Sequence, residues 1–92
     1  MATPAPEEIQ TRVRRILHED FKVDPAKMLE NATFRGDMAM DSLDVVDLVF
    51  FVQKEFGIKA RVEEYQDVKT LGRLVDHLHK KLVAMAAAAP PA

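Results

Sequence analysis

The sequence predicts an all-α fold, a small four-helix bundle of three longer helices and one short helix, with a long loop between the first and second. Three observations predict it. Apolar residues recur at helical spacing in three separate stretches, and no run keeps the period-2 alternation of a half-buried strand. Turn formers separate the stretches, Asp24 and Pro25 first and Gly57 later. The chain has 92 residues, the size of one domain with a small core.

The first helix is expected over residues 7–19. Ile9, Val13, Ile16 and Leu17 follow the i, i+4, i+7, i+8 spacing of one buried stripe, and Glu7 and Glu8 suit the first turn. Residues 21–40 read as the long connection. Asp24 and Pro25 open a turn, residues 25–29 can add a short helical turn, and Phe34 is expected to pin the loop to the core. The second helix is expected over 42–56, ending at Gly57 as the residue after the cap. At roughly 100° per residue, Val45, Leu48, Val49, Val52 and Phe56 share one face, which should be core. Leu43, Val46 and Phe50 share another, beside Asp47, and form a separate apolar strip fringed with acid. Residues 62–66 read as the short third helix. Thr70 is placed to cap the last, whose stripe is Leu71, Leu74, Val75, Leu78 and Leu82, with Lys80 and Lys81 complementing its C-terminal dipole. Residues 1–6 and the Ala/Pro-rich 85–92 read as flexible tails around a bundle spanning 7–84.

Net charge is −2, which gives little electrostatic drive toward nucleic acid. There is no cysteine, so disulfides and thiolate metal sites are excluded. Residues 1–10 lack the basic and apolar regions of a secretory leader, and the longest apolar run, 48–52, is far too short to span a bilayer. A cytoplasmic monomer that neither inserts in membranes nor binds nucleic acid is expected. Charge is uneven, however. Between Gly36 and Gln53 stand Asp37, Asp41, Asp44 and Asp47, with no lysine or arginine. That acidic segment favours a basic partner.

Ser42 sits at the start of the second helix inside this segment. A serine there is most often a cap. Asp41 can take that role instead, its carboxylate accepting from the amide of Leu43 or Asp44, with Asp44 completing an acidic capping box. The Ser42 hydroxyl is then free, near the positive end of the helix, where a phosphate is tolerated.

Phe34, Met38, Asp41-Ser42-Leu43-Asp44, Asp47-Leu48 and Glu55-Phe56 fall at the spacings of an acyl carrier protein. Phe56-Gly57-Ile58, Glu63-Glu64 and Val68-Lys69-Thr70-Leu71 also resemble that family's second half, so the resemblance covers roughly residues 7–83. The resemblance implies that a phosphopantetheinyl transferase moves phosphopantetheine from coenzyme A onto Ser42, whose arm then holds acyl intermediates as thioesters in fatty-acid, specialised-lipid or polyketide biosynthesis. It implies a non-catalytic carrier. Asp41, Leu43, Asp44, Val46, Asp47 and Phe50 become the surface offered to acyl-transferring, condensing or acyl-activating enzymes. Ala39 departs from the family's usual glycine, Gln53 and Lys54 from later acids, and Arg61 from a common proline. Tyr65 is bulkier than the usual small residue and would narrow an acyl cavity. With the modest acidity, these departures favour a carrier dedicated to one pathway.

A peptidyl or aminoacyl carrier of the same fold, and an unmodified helical adaptor docking through Leu43, Val46 and Phe50, are the alternative readings. His77 and His79 lie two residues apart, on different faces of a helix, so they make no metal site. The aspartates lack calcium-loop spacing. Arg12, Arg14 and Arg15 read as an exposed polar face, and His18 as a helix end.

Overall fold

The computed structural model describes residues 3–59 and 61–88, with side chains through 86. Its order is α1 (Pro6–Phe21), a 3-10 turn (Pro25–Lys27), α2 (Ser42–Phe56), a second 3-10 turn (Val62–Tyr65) and α3 (Leu71–Ala88). Among the described residues there is no strand, only an isolated bridge between Thr33 and Thr70.

In α1, Ile9, Val13, Ile16 and Leu17 are all buried, as their spacing predicts. The helix is longer than expected at both ends. Pro6 occupies the first turn, where its missing N–H costs nothing. At the other end Phe21 stays helical because it packs on the core and meets the Phe51 ring edge-on, with centroids 5.5 Å apart. Lys22 in the left-handed region (φ 59°) then stops the helix, and the Val23 amide donates to Leu17 O at 3.0 Å.

In α2 the expected core face is confirmed: Leu48, Val49 and Val52 are buried, and Val45 and Phe56 pack against them half-buried. The helix ends at Gly57 (φ 63°), where the Ile58 amide donates to Gln53 O and Ile58 itself is buried. The arginines of α1 are not simply a solvated face. Arg12 and Arg15 both reach Glu55 of α2, at 3.5 and 2.9 Å, and the Arg12 guanidinium lies 5.3 Å from the centre of the Phe56 ring.

The short third helix is a 3-10 turn rather than an α-helix. Its two apolar residues, Val62 and Tyr65, are three positions apart, so one three-residue turn presents both to the core, and Val68 packs there just beyond it. Thr70 does cap α3, its Oγ1 accepting from the Arg73 amide at 3.2 Å. Leu71, Leu74, Val75 and Leu78 are buried, and Leu82 packs beside them.

Two expectations about the C-terminal end need correction. The helix continues to Ala88, so 85–88 are helical rather than part of a tail; alanine is the strongest helix former. Residues 89–92 lie outside the described residues, as do 1–2 of the other expected tail. Because α3 runs on, Lys80 and Lys81 do not cap its dipole. Lys80 pairs with Asp76 at 3.2 Å, and Lys81 with Glu64 at 2.7 Å.

The long loop is stitched to the start of α3. Phe34 N donates to Lys69 O, Leu71 N to Ala32 O and Gly72 N to Glu30 O, at 3.0, 3.1 and 2.8 Å. A β-carbon at Gly72 would lie 2.9 Å from the Glu30 carbonyl oxygen, so this close approach requires glycine. Phe34 is buried as expected, and so are Val23, Met28, Ala32, Met38 and Met40.

Candidate functional site

The loop delivers the chain to α2 through a compact turn. Thr33 and Asp37 tie its ends. The Asp37 carboxylate accepts from the Thr33 amide (2.9 Å) and hydroxyl (3.2 Å), while Thr33 Oγ1 accepts from the amides of Gly36 and Asp37. Asp37 is therefore structural, a role that the sequence did not single out. Met38 and Met40 anchor the next residues in the core, with Met40 N donating to Phe34 O at 2.9 Å.

Between these anchors the exposed Ala39 sits at φ 53°, in the left-handed region that favours glycine. The backbone thus demands the conformation for which glycine is usual, and alanine adopts it under strain. Relief of that strain outweighs the greater unfolded-state freedom of glycine, so Ala39→Gly is expected to raise stability by about 0.5–1 kcal/mol. Urea unfolding checks this. A midpoint below that of the parent chain would mean that the alanine is not strained.

Asp41 is the N-cap of α2. Its carboxylate accepts from the Asp44 amide at 2.8 Å, and the Asp44 carboxylate accepts from the Asp41 amide at 3.2 Å, closing the acidic capping box. Ser42 is the first helical residue and is exposed, and its hydroxyl has no hydrogen-bond partner among the described residues. Capping has passed to Asp41, and what remains is an accessible hydroxyl held on a rigid helix beside the positive end of its dipole.

The neighbouring face carries the residues expected there. Leu43 and Phe50 are 73% and 59% exposed, large for side chains of this kind. Val46 is half-buried between them, and Asp41 and Asp47 are exposed. Asp44 is half-buried and turned back into the capping box. Leu29, 61% exposed on the long loop, is a further apolar side chain that periodicity could not single out, because it lies outside any helix.

Behind the site, α2 faces the second 3-10 turn and α3 across an apolar void of about 10 Å³, lined by Val45, Leu48, Val49, Tyr65, Val68 and Leu74, among others. Tyr65 is buried, and its ring meets that of His77 edge-on, centroids 4.9 Å apart. The phenol oxygen has no hydrogen-bond partner among the described residues. Burial, with the neighbouring Glu64 charge, pushes the phenol up to about 12. Glu64 on the same turn is held below the usual carboxylate range, chiefly by its hydrogen bond from Lys81. His77 Nε2 also lies 3.4 Å from Glu64. The histidine thus braces the 3-10 turn. His18 Nδ1 lies 3.2 Å from the Val23 carbonyl at the end of α1. No group of three potential metal ligands occurs among the described residues.

Comparison with known proteins converges on one class. Residues 11–78 match the family described as "phosphopantetheine attachment site", and this stretch contains Ser42. The chain is 38% identical over 76 residues to an acyl carrier protein of Thermotoga maritima, covering 83% of this chain and 94% of that one. It is 35% identical over 77 residues to the acyl carrier protein of Thermosynechococcus vestitus, covering 84% and 95%. Among solved structures, the acyl carrier protein from Enterococcus faecalis superposes with a TM-score of 0.70 at 23% identity, over 85% of this chain and 99% of that one, a likeness of fold.

Proposed function

The chain belongs to the acyl carrier protein family, and from that premise we propose that Ser42 is the residue that bears its phosphopantetheine arm. Members are non-catalytic carriers. The covalent arm supplies a terminal thiol that holds an acyl group as a thioester, tethered at high effective concentration for successive enzymes. The single observation behind the choice of Ser42 is its exposed, unpartnered hydroxyl at the start of a helix already capped by Asp41. On transfer from coenzyme A, Ser42 Oγ forms a bond to the phosphorus bearing pantetheine. The pyrophosphate bond breaks, adenosine 3′,5′-bisphosphate leaves, and the hydroxyl proton passes to a base on the phosphopantetheinyl transferase. The first turn of α2 then faces the phosphodiester with amides that lack intrahelical partners.

Asp41, Leu43, Asp44, Val46, Asp47 and Phe50 form the docking surface in this reading, for the transferase and for acyl-transferring, condensing or acyl-activating enzymes. Exposure of Leu43 and Phe50 beside uncompensated acid supports it. Phe50→Ala should lower kcat/KM for a partner enzyme about tenfold while leaving the thermal midpoint nearly unchanged, since the ring is mostly exposed. Unaltered transfer kinetics would remove Phe50 from the surface.

The net charge of −2 and the nearly closed interior support a carrier dedicated to one specialised-lipid or polyketide pathway rather than general fatty-acid synthesis. No helix among the described residues is long and apolar enough to cross a membrane. A monomeric carrier unit running from the start of α1 to the end of α3, working in the cytoplasm, completes the proposal. Intact-mass analysis of the protein from its native host tests the function: the chain should carry the arm and, in part, an acyl group. A wholly unmodified population would contradict it.

A further inference from the structure

The phenol oxygen of Tyr65 is buried without a hydrogen-bond partner among the described residues, an unusual state for a polar atom in a protein interior. The other side chains around the adjoining void are phenylalanine, valine and leucine, and none can accept a hydrogen bond. The void, about 10 Å³, is barely the size of one water, which would need at least two polar partners there. The hydroxyl is protonated near neutrality, as any phenol is, and burial raises it further. It is therefore a donor in place for which the described residues supply no acceptor.

We propose that Tyr65 determines cargo specificity, its hydroxyl donating to an oxygen on the tethered acyl chain, so that this carrier shelters oxygenated acyl groups in preference to saturated ones. The inference rests on attachment at Ser42, because a tether there brings cargo to this interior. The void is too small for an acyl chain, so one that enters must displace a wall of it, and the second 3-10 turn, which carries Tyr65, is the shortest element there. That turn is four residues long and is held to α3 by the Lys81–Glu64 pair, the His77–Glu64 contact and the Tyr65–His77 ring contact. Most of these lie at the surface, so the turn is a low-stability element suited to opening. A saturated chain inserted there leaves the phenol unpaired among methylenes. A chain with a carbonyl oxygen satisfies it, and a buried polar group discriminates strongly between ligands that pair with it and ligands that do not.

The test loads the full chain with octanoyl or 3-oxooctanoyl phosphopantetheine, using the matching acyl-coenzyme A and a broad-specificity transferase. The parent chain is compared with Tyr65→Phe, which removes only the oxygen. In the parent, the 3-oxooctanoyl form should melt about 4–8 °C above the octanoyl form, the shift expected when one buried hydrogen bond is satisfied in a domain of this size. The infrared band of the 3-oxo carbonyl should move to lower frequency. Both differences should vanish in Tyr65→Phe. A loaded parent chain whose two forms melt together overturns the cargo inference alone, as does a difference that persists in Tyr65→Phe. A chain that takes up no arm at Ser42 overturns the attachment reading and the cargo inference together.

Discussion

Ser42→Ala is expected to abolish phosphopantetheine attachment completely while leaving the fold intact. Ser42 is the only serine in the sequence. The remaining hydroxyls are poorly suited to replace it. Thr33 is bound to Asp37, Thr70 caps α3, and Thr11 donates to the carbonyl oxygen of Glu7 at 2.9 Å. The Tyr65 hydroxyl is buried, and Thr3 lies ahead of α1. The mutant keeps its helix because the cap is Asp41 and the Ser42 side chain is exposed; stability should change by no more than about 0.5 kcal/mol. Intact mass after incubation with coenzyme A and transferase reads the first expectation, and circular dichroism with thermal melting the second. A mutant that still gained the arm would move the site elsewhere.

Phe34→Ala should be the most damaging single truncation in the loop, costing about 3–5 kcal/mol. The ring is 3% exposed and lines the interior between α2 and α3. Its backbone joins the loop in both directions, to Lys69 through its amide and to Met40 through its carbonyl oxygen. Small domains have only about 5–15 kcal/mol in total, so the loss should lower the midpoint by tens of degrees and loosen the segment that carries Asp41. Urea unfolding measures the cost. A loss below about 1 kcal/mol would show that Met28, Met38 and Met40 hold the loop without it.

The legible parts of the molecule were those set by local spacing. The stripes of α1, α2 and α3 follow from the helical period alone, and the capping box from two carboxylates three residues apart. The short third element could be located from its apolar residues, but its 3-10 geometry could not, since a spacing of three suits an α-turn equally well. The long loop was much less legible. Met28, Ala32, Met38 and Met40 follow no period, and the loop that buries them is held through Glu30, Ala32 and Phe34 to the start of α3, many residues away. The pairing of Arg12 and Arg15 with Glu55 likewise spans some forty positions, as in the Arg15–Glu55 bond, and requires α1 and α2 to be packed first. The alanines after 84 suit both an unstructured tail and a helix. Continuation from α3 decides between them, because extending an existing helix needs no new nucleus. At the site itself, Ser42 and its apolar neighbours could be placed from the sequence, whereas the role of Asp37 in holding Thr33 could not.

The central claim is that one exposed hydroxyl accepts the arm, and fragmentation mass spectrometry of the loaded wild-type chain tests it most directly. After incubation with coenzyme A and a broad-specificity transferase, the added phosphopantetheine should be found on Ser42 and nowhere else. An unmodified Ser42 peptide, or the arm on any other residue, would contradict the account.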